Sequence, residues 1–103
     1  MTPIRGEVWT VDLGLAQKLR PAVILSTEFG DNDRALITIV PHTTALRNSE
    51  FEVAVDAHFL KTGAFIVQGI TSVDPSYAKR RLGFLTQEQM SKIEDKLRSW
   101  LRV

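Results

Sequence analysis

Arg20-Pro21-Ala22-Val23-Ile24-Leu25-Ser26 is the stretch on which the reading of this chain turns. Ala22 to Leu25 is an unbroken apolar run, the sign of a strand covered on both faces. Further on, Ile39-Val40-Pro41-His42-Thr43-Thr44 has the same construction, an apolar strand leading into polar residues. A guanidinium stands at the entrance of one strand and two hydroxyls at the exit of the next. If the two strands are neighbours in a sheet, Arg20 and Thr43 face one ligand. Those groups suit a phosphate, which points toward a nucleic-acid backbone.

The segments on either side extend the sheet. In residues 7–13, Trp9, Val11 and Leu13 share one side and Thr10 and Asp12 the other. Val8 breaks that alternation, so burial there is expected on both faces. Gly14 to Leu19 reads as a loop. Phe29-Gly30-Asp31-Asn32-Asp33-Arg34 is a turn by composition. Leu36 to Val40 is a strand rich in β-branched residues, and Pro41, which has no N–H, is expected to end it or to sit at an edge. Thr44 to Glu50 is a polar loop. Phe51, Val53 and Val55 alternate with Glu52, Ala54 and Asp56 as a half-buried strand. Ala57 to Leu60 suggests one helical turn, and Lys61-Thr62-Gly63 a chain turn. Ala64 to Val73 is long for one strand, and Gly69 within it marks a bulge or bend. Pro75 stops it, and Arg81 to Leu85 supplies a last short strand.

The C-terminus differs in kind. Thr86 fits an N-cap, with Gln89 at the spacing of a capping box. Met90, Ile93, Leu97, Trp100 and Leu101 fall on one helical stripe. Glu88 with Lys92, and Glu94 with Arg98, stand four apart in the favourable order. The pattern predicts a helix over residues 87–102 laid against the sheet. Short strands followed by one helix predict a mainly β fold, an antiparallel and strongly curved sheet.

Composition narrows the function. The chain has 103 residues, of which 44% are apolar and 24% charged. That is ordinary globular composition, and the length suits one domain over residues 1–103 with one core rather than two. Cysteine is absent, which removes disulfides, thiolate zinc sites and cysteine nucleophiles. No apolar run reaches 18 residues and the first residues lack a secretion-signal pattern, so a cytoplasmic protein without a membrane span is expected. The net charge of +1 argues against an overall basic coat. Lys18, Arg20, Arg47 and the run Lys79-Arg80-Arg81 still offer local positive patches.

The residues also resemble a known family. Arg5-Gly6-Glu7-Val8-Trp9, Arg20 to Ser26, Val40 to Thr44, Phe51-Glu52-Val53 and Val67-Gln68-Gly69-Ile70 occur in the order and spacing of the MazF/PemK toxin endoribonucleases. The resemblance implies a small SH3-like barrel, also seen in the gyrase poison CcdB, with a C-terminal helix. It implies a homodimer, a cognate antitoxin and a single-stranded RNA substrate. Cleavage at short sequences would need no metal or other cofactor and would leave 2′,3′-cyclic phosphate and 5′-hydroxyl ends. The family's catalytic arginine and threonine match Arg20 and Thr43. The chain departs from the family in its short loop Gly14 to Leu19, which has no glutamate. That departure motivates a second expectation, a CcdB-like inhibitor of an enzyme such as gyrase on the same barrel. A relative that binds RNA or antitoxin without cutting is a third.

RNA cleavage through the 2′-hydroxyl requires in-line geometry, stabilised charge on the phosphoryl oxygens and movement of a proton. Arg20 suits charge stabilisation, because its planar fork keeps its protons at any working pH. For the same reason it is a poor base. On the residues alone, a surface arginine at a strand end is the plainer reading. Thr43 can donate to a phosphoryl oxygen, and Thr44 is its neighbouring rival. His42 titrates near neutrality, but adjacent strand residues point to opposite faces. Gln68 suits a base edge or the backbone. Ser26, Lys18, Arg47, Arg80 and Arg81 are further candidates for RNA contact, with Phe29 and Phe51 for stacking, although an alternating strand places Phe51 in the core. His58 reads as a surface or packing residue, and two histidines so far apart give little support for a metal site.

Overall fold

The computed structural model of the chain describes residues 2–14 and 19–103. The strands are β1 (Glu7–Asp12), β2 (Leu19–Ile24), β3 (Ile37–Thr43), β4 (Glu52–Ala54), β5 (Ala64–Ile66), β6 (Thr71–Val73) and β7 (Ala78–Phe84), followed by helix α1 (Gln87–Leu101). All pairings are antiparallel, in the order β4-β5-β3-β2-β1-β7, with β6 also on β3. The mainly β, barrel-like architecture with a terminal helix agrees with the sequence reading.

β2 and β3 form the middle of the sheet, with Ala22 opposite Pro41, Val23 opposite Val40 and Ile24 opposite Ile39. Alternation sends their side chains into two apolar clusters on opposite faces. Trp9, Val11, Ala22, Ile24, Ile37 and Ile39 form one. Val8, Val23, Leu25, Val40, Phe65, Met90 and Ile93 belong to the other, under the helix. Val8 and Trp9 thus bury in different clusters, as the broken pattern foretold. The expectation of one core is corrected: a curled sheet with short wrapping strands covers both faces of its central strands.

Pro41 does not end β3, which runs on to Thr43. Along that edge β6 pairs with Ile37 to Ile39 and β5 with His42 and Thr43. Pro41 falls between the two partners, where its missing N–H breaks no ladder. The expected strand from Ala64 to Val73 is likewise divided, because Val67–Gly69 forms a 3₁₀ turn across this gap. A Cβ on Gly69 would lie 2.9 Å from the Pro41 ring, so glycine lets the turn ride on the proline.

Other boundaries shift for local reasons. β2 starts at Leu19, placing Arg20 inside the strand opposite Val11 rather than at its entrance. β4 keeps only three residues of the expected 51–56 strand. Ala57 to Leu60 is a turn closed by one bond, Leu60 N–H to the Ala57 carbonyl, and not a helix. β7 begins at Ala78 because Asp74 caps the Pro75–Tyr77 turn and returns the chain to β1 early.

Helix α1 opens with the expected capping box: Thr86 Oγ1 accepts from Gln89 N–H, and the Gln89 side chain accepts from Thr86 N–H. Met90 and Ile93 bury, and Leu97 packs beside them. The stripe frays at its end, where Trp100 and Leu101 are exposed and Trp100 meets the Phe51 ring edge-on at 5.1 Å. Neither expected i,i+4 ion pair forms. Glu94 pairs with Arg5, whose guanidinium also donates to the Leu25 carbonyl, and Arg98 pairs with Asp95. Arg5 thereby ties the N-terminal arm, the end of β2 and the helix together. No helix among the described residues is long and apolar enough to cross a membrane.

The end of β3 is packed unusually closely. A Cβ on Gly63 would stand 2.1 Å from the Thr43 carbonyl oxygen and 2.8 Å from His42 Cε1. Gly63→Ala therefore forces β3 and the segment leading into β5 apart, and thermal melting should register a loss of about 1–3 kcal/mol. His42 is buried edge-on against Phe65 at 5.0 Å, and its Nε2 makes no hydrogen bond among the described residues. Burial holds its pKa below the ordinary value. The unfolded chain therefore takes up a proton at this residue that the fold refuses. Stability should fall as the pH drops below about 6.5 and stop falling once the lowered folded value is passed. Denaturant titration of His42→Phe should show that part of the pH dependence removed, and an unchanged slope would contradict the assignment.

Candidate functional site

The register that pairs Ala22 with Pro41, continued toward the strand ends, sets Arg20 level with Thr43. The two residues share the walls of two adjoining grooves. The first, about 440 Å³, is bordered by Arg20, Thr43, Arg47, Ser49, Glu52 and Gln68, with Leu13, Pro41 and Ile66 as apolar walls. The second, about 600 Å³, is bordered by Arg20, Thr43, Thr44, Lys61, Arg80 and Thr10, over Phe59, Leu60 and Leu82. Arg20 is exposed and has no ion-pair partner among the described residues, so its guanidinium fork is available to an anion.

Thr43 is nearly buried, and its hydroxyl oxygen accepts from Ala45 N–H at 3.0 Å. That bond fixes the rotamer and leaves the hydroxyl proton free to donate. Thr44 is exposed and borders only the second groove. His42 also borders both grooves, and its buried ring packs edge-on against Phe65.

The remaining sequence candidates divide. Gln68, on the Val67–Gly69 turn, and Arg47 reach the first groove, and Arg80 reaches the second. Ser26 borders neither groove; its hydroxyl accepts from Thr38 N–H at 2.9 Å and secures the far end of β2. Arg81 is engaged with Glu7 at 3.1 Å. Burial pushes the Glu7 carboxyl up, but bonds from Ile4 N–H and the Trp9 indole, with the Arg81 contact added, outweigh it and hold the carboxyl below its usual range. Phe51 packs on the core and Phe29 borders neither groove. Lys18 lies outside the described residues.

Two contributors escaped the sequence reading. Lys61 follows a turn and carries no motif, yet the fold brings it beside Arg20 and Arg80. Glu52 looked like the solvent side of a strand. Its carboxylate instead accepts from Arg47 N–H and Ser49 N–H at 2.9–3.2 Å, clasping the 44–51 loop so that Arg47 stands over the first groove. The signal was present in the spacing of Ser49 and Glu52, which matches a side-chain-capped turn. No group of three or more His, Asp or Glu residues among those described could hold a metal ion.

Comparison with known proteins gives these grooves a setting. No curated protein matches the chain. A structure of an endoribonuclease in complex with its cognate antitoxin, from a mycobacterial species, is 28% identical with a TM-score of 0.84, covering 98% of this chain and 96% of that one. A second mycobacterial endoribonuclease is 26% identical with a TM-score of 0.81, covering 100% and 94%. MazF from Deinococcus radiodurans, 22% identical, shares the fold with a TM-score of 0.85 over 100% and 99% of the two chains. The family model described as the PemK-like, MazF-like toxin of type II toxin–antitoxin systems matches residues 4–101. The chain belongs to the PemK/MazF family of toxins.

Proposed function

We propose that the chain is a metal-independent endoribonuclease that cleaves single-stranded RNA at selected sequences, acting as the toxin of a toxin–antitoxin pair. The convergence of Arg20 and Thr43 on one lip between two open grooves carries this reading. The similar mycobacterial endoribonucleases support it.

In the proposed reaction the 2′-oxygen attacks the adjacent phosphorus as the bond to the 5′-oxygen breaks. The products are a 2′,3′-cyclic phosphate and a 5′-hydroxyl, and the net proton transfer is from the 2′- to the 5′-oxygen. Arg20 donates two hydrogen bonds to the non-bridging oxygens, whose negative charge grows in the transition state. Thr43, its oxygen already held by Ala45 N–H, donates a hydrogen bond through its hydroxyl to the same phosphoryl group or to the departing oxygen and keeps its proton. A guanidinium does not release its protons at working pH, so Arg20 is not the proton carrier. Gln68, Arg47, Thr44, His42 and Arg80 stand where neighbouring nucleotides pass.

The partner proposed is a cognate antitoxin that covers the cationic grooves, by analogy with the antitoxin complex formed by the similar mycobacterial enzyme. A homodimer and a cytoplasmic location belong to the same reading.

Long single-stranded RNA incubated with the protein and EDTA should yield fragments whose 5′ ends accept phosphate directly from a kinase. Intact RNA from well-folded protein would overturn the reading. Arg20→Ala should lower the cleavage rate about 10²–10³-fold with its melting temperature kept. Thr43→Val should lower it by more than Thr44→Val; the reverse order would move the hydroxyl assignment to Thr44.

A further inference from the structure

The two grooves differ in charge although they share Arg20 and Thr43. The first sets Arg20 and Arg47 against Glu52, and carries the uncommitted amide of Gln68, which is exposed and makes no hydrogen bond among the described residues. In the second, Arg20, Lys61 and Arg80 are the charged groups, and no carboxylate borders it. Lys61 and Arg80 are exposed and form no ion pair among the described residues. Arg80 is anchored by its backbone: its N–H donates to Thr10 Oγ1, which fixes the strand while leaving the guanidinium free. Cations gathered in one cleft of a chain whose net charge is only +1 concentrate an attractive field there.

A strand whose scissile linkage lies between Arg20 and Thr43 must enter by one groove and leave by the other. We propose that the grooves divide the labour of RNA binding: the second holds backbone phosphates flanking the scissile linkage through Lys61 and Arg80, without regard to sequence, and the first reads a base edge through Gln68. An amide offers a donor and an acceptor side by side, the pairing that base edges present, whereas an ammonium and a guanidinium with no acceptor beside them match phosphate oxygens. The assignment rests on the endoribonuclease reading and adds which part of the RNA each groove takes.

The test uses 2′-O-methyl oligonucleotides of mixed sequence, which lack the attacking hydroxyl and cannot be cut, titrated against the full chain over a range of salt concentrations. Each phosphate contact on a single strand contributes about 0.7 to the slope of log affinity against log salt. Lys61→Ala with Arg80→Ala should reduce the slope by about 1.4 and weaken all sequences alike. Lys61→Arg with Arg80→Lys should restore it, and Lys92→Ala on the outer helix should leave it as in the wild type. Gln68→Ala should keep the slope and, in mapped cleavage of natural RNA, relax the choice of base at one position by about ten-fold. A double variant with the wild-type slope, or one that loses only some sequences, overturns the division. A wild-type protein that neither binds the oligonucleotides nor cuts RNA overturns the endoribonuclease reading with it.

Discussion

The antiparallel register between β2 and β3 is the constraint on which the rest of the molecule depends. Because Ala22 meets Pro41 and Ile24 meets Ile39, successive residues of both strands must bury on opposite faces, and two apolar clusters form where the chain length suggested one. A slip of one residue would send Val23 and Val40 toward the wrong cluster and exchange the environments of His42 and Thr43. The same register sets Arg20 level with Thr43. The grouping of Arg20 with Thr43 is therefore a consequence of how the core is filled, on two of the most buried strands in the sheet.

Pro41 shows how the edge of β3 is divided without a loss of hydrogen bonding. A residue that cannot donate stands where β6 has ended and β5 has not begun. The turn across this gap brings Gln68 to the first groove, and the close packing of Gly63 against Thr43 and His42 fixes the strand end below it. His42 packs edge-on against Phe65 there, and burial disfavours its charged form.

Electrostatics in this protein is a matter of distribution. The total charge is nearly zero, and several cations are consumed structurally: Arg5 by Glu94 and the Leu25 carbonyl, Arg81 by Glu7, Arg98 by Asp95. Those left without carboxylate partners around Thr43 come from separate segments, Arg20 on β2, Lys61 beside a turn and Arg80 on β7. Glu52 forms no ion pair with Arg20; its carboxylate accepts from the backbone of the 44–51 loop and leaves its charge on the first groove only.

What the sequence by itself determined follows from interactions between near neighbours in the chain. The unbroken run Ala22 to Leu25 announced burial on both faces, Val8 beside Trp9 announced the same for β1, and Thr86 with Gln89 marked the start of the helix to the residue. The placing of Arg20 and Thr43 at strand ends already suggested a shared ligand. Only the tertiary structure decided where β3 ends, since that depends on which strand lies beside Pro41, and which of Glu94's possible partners it takes, since Arg5 arrives from the far end of the chain. It also turned Ser26 into a backbone anchor and brought Lys61 to the groove. Periodicity and capping are set within a few residues and can be read in order; partnership between distant segments is set by strand pairing and core packing, and has no local signature.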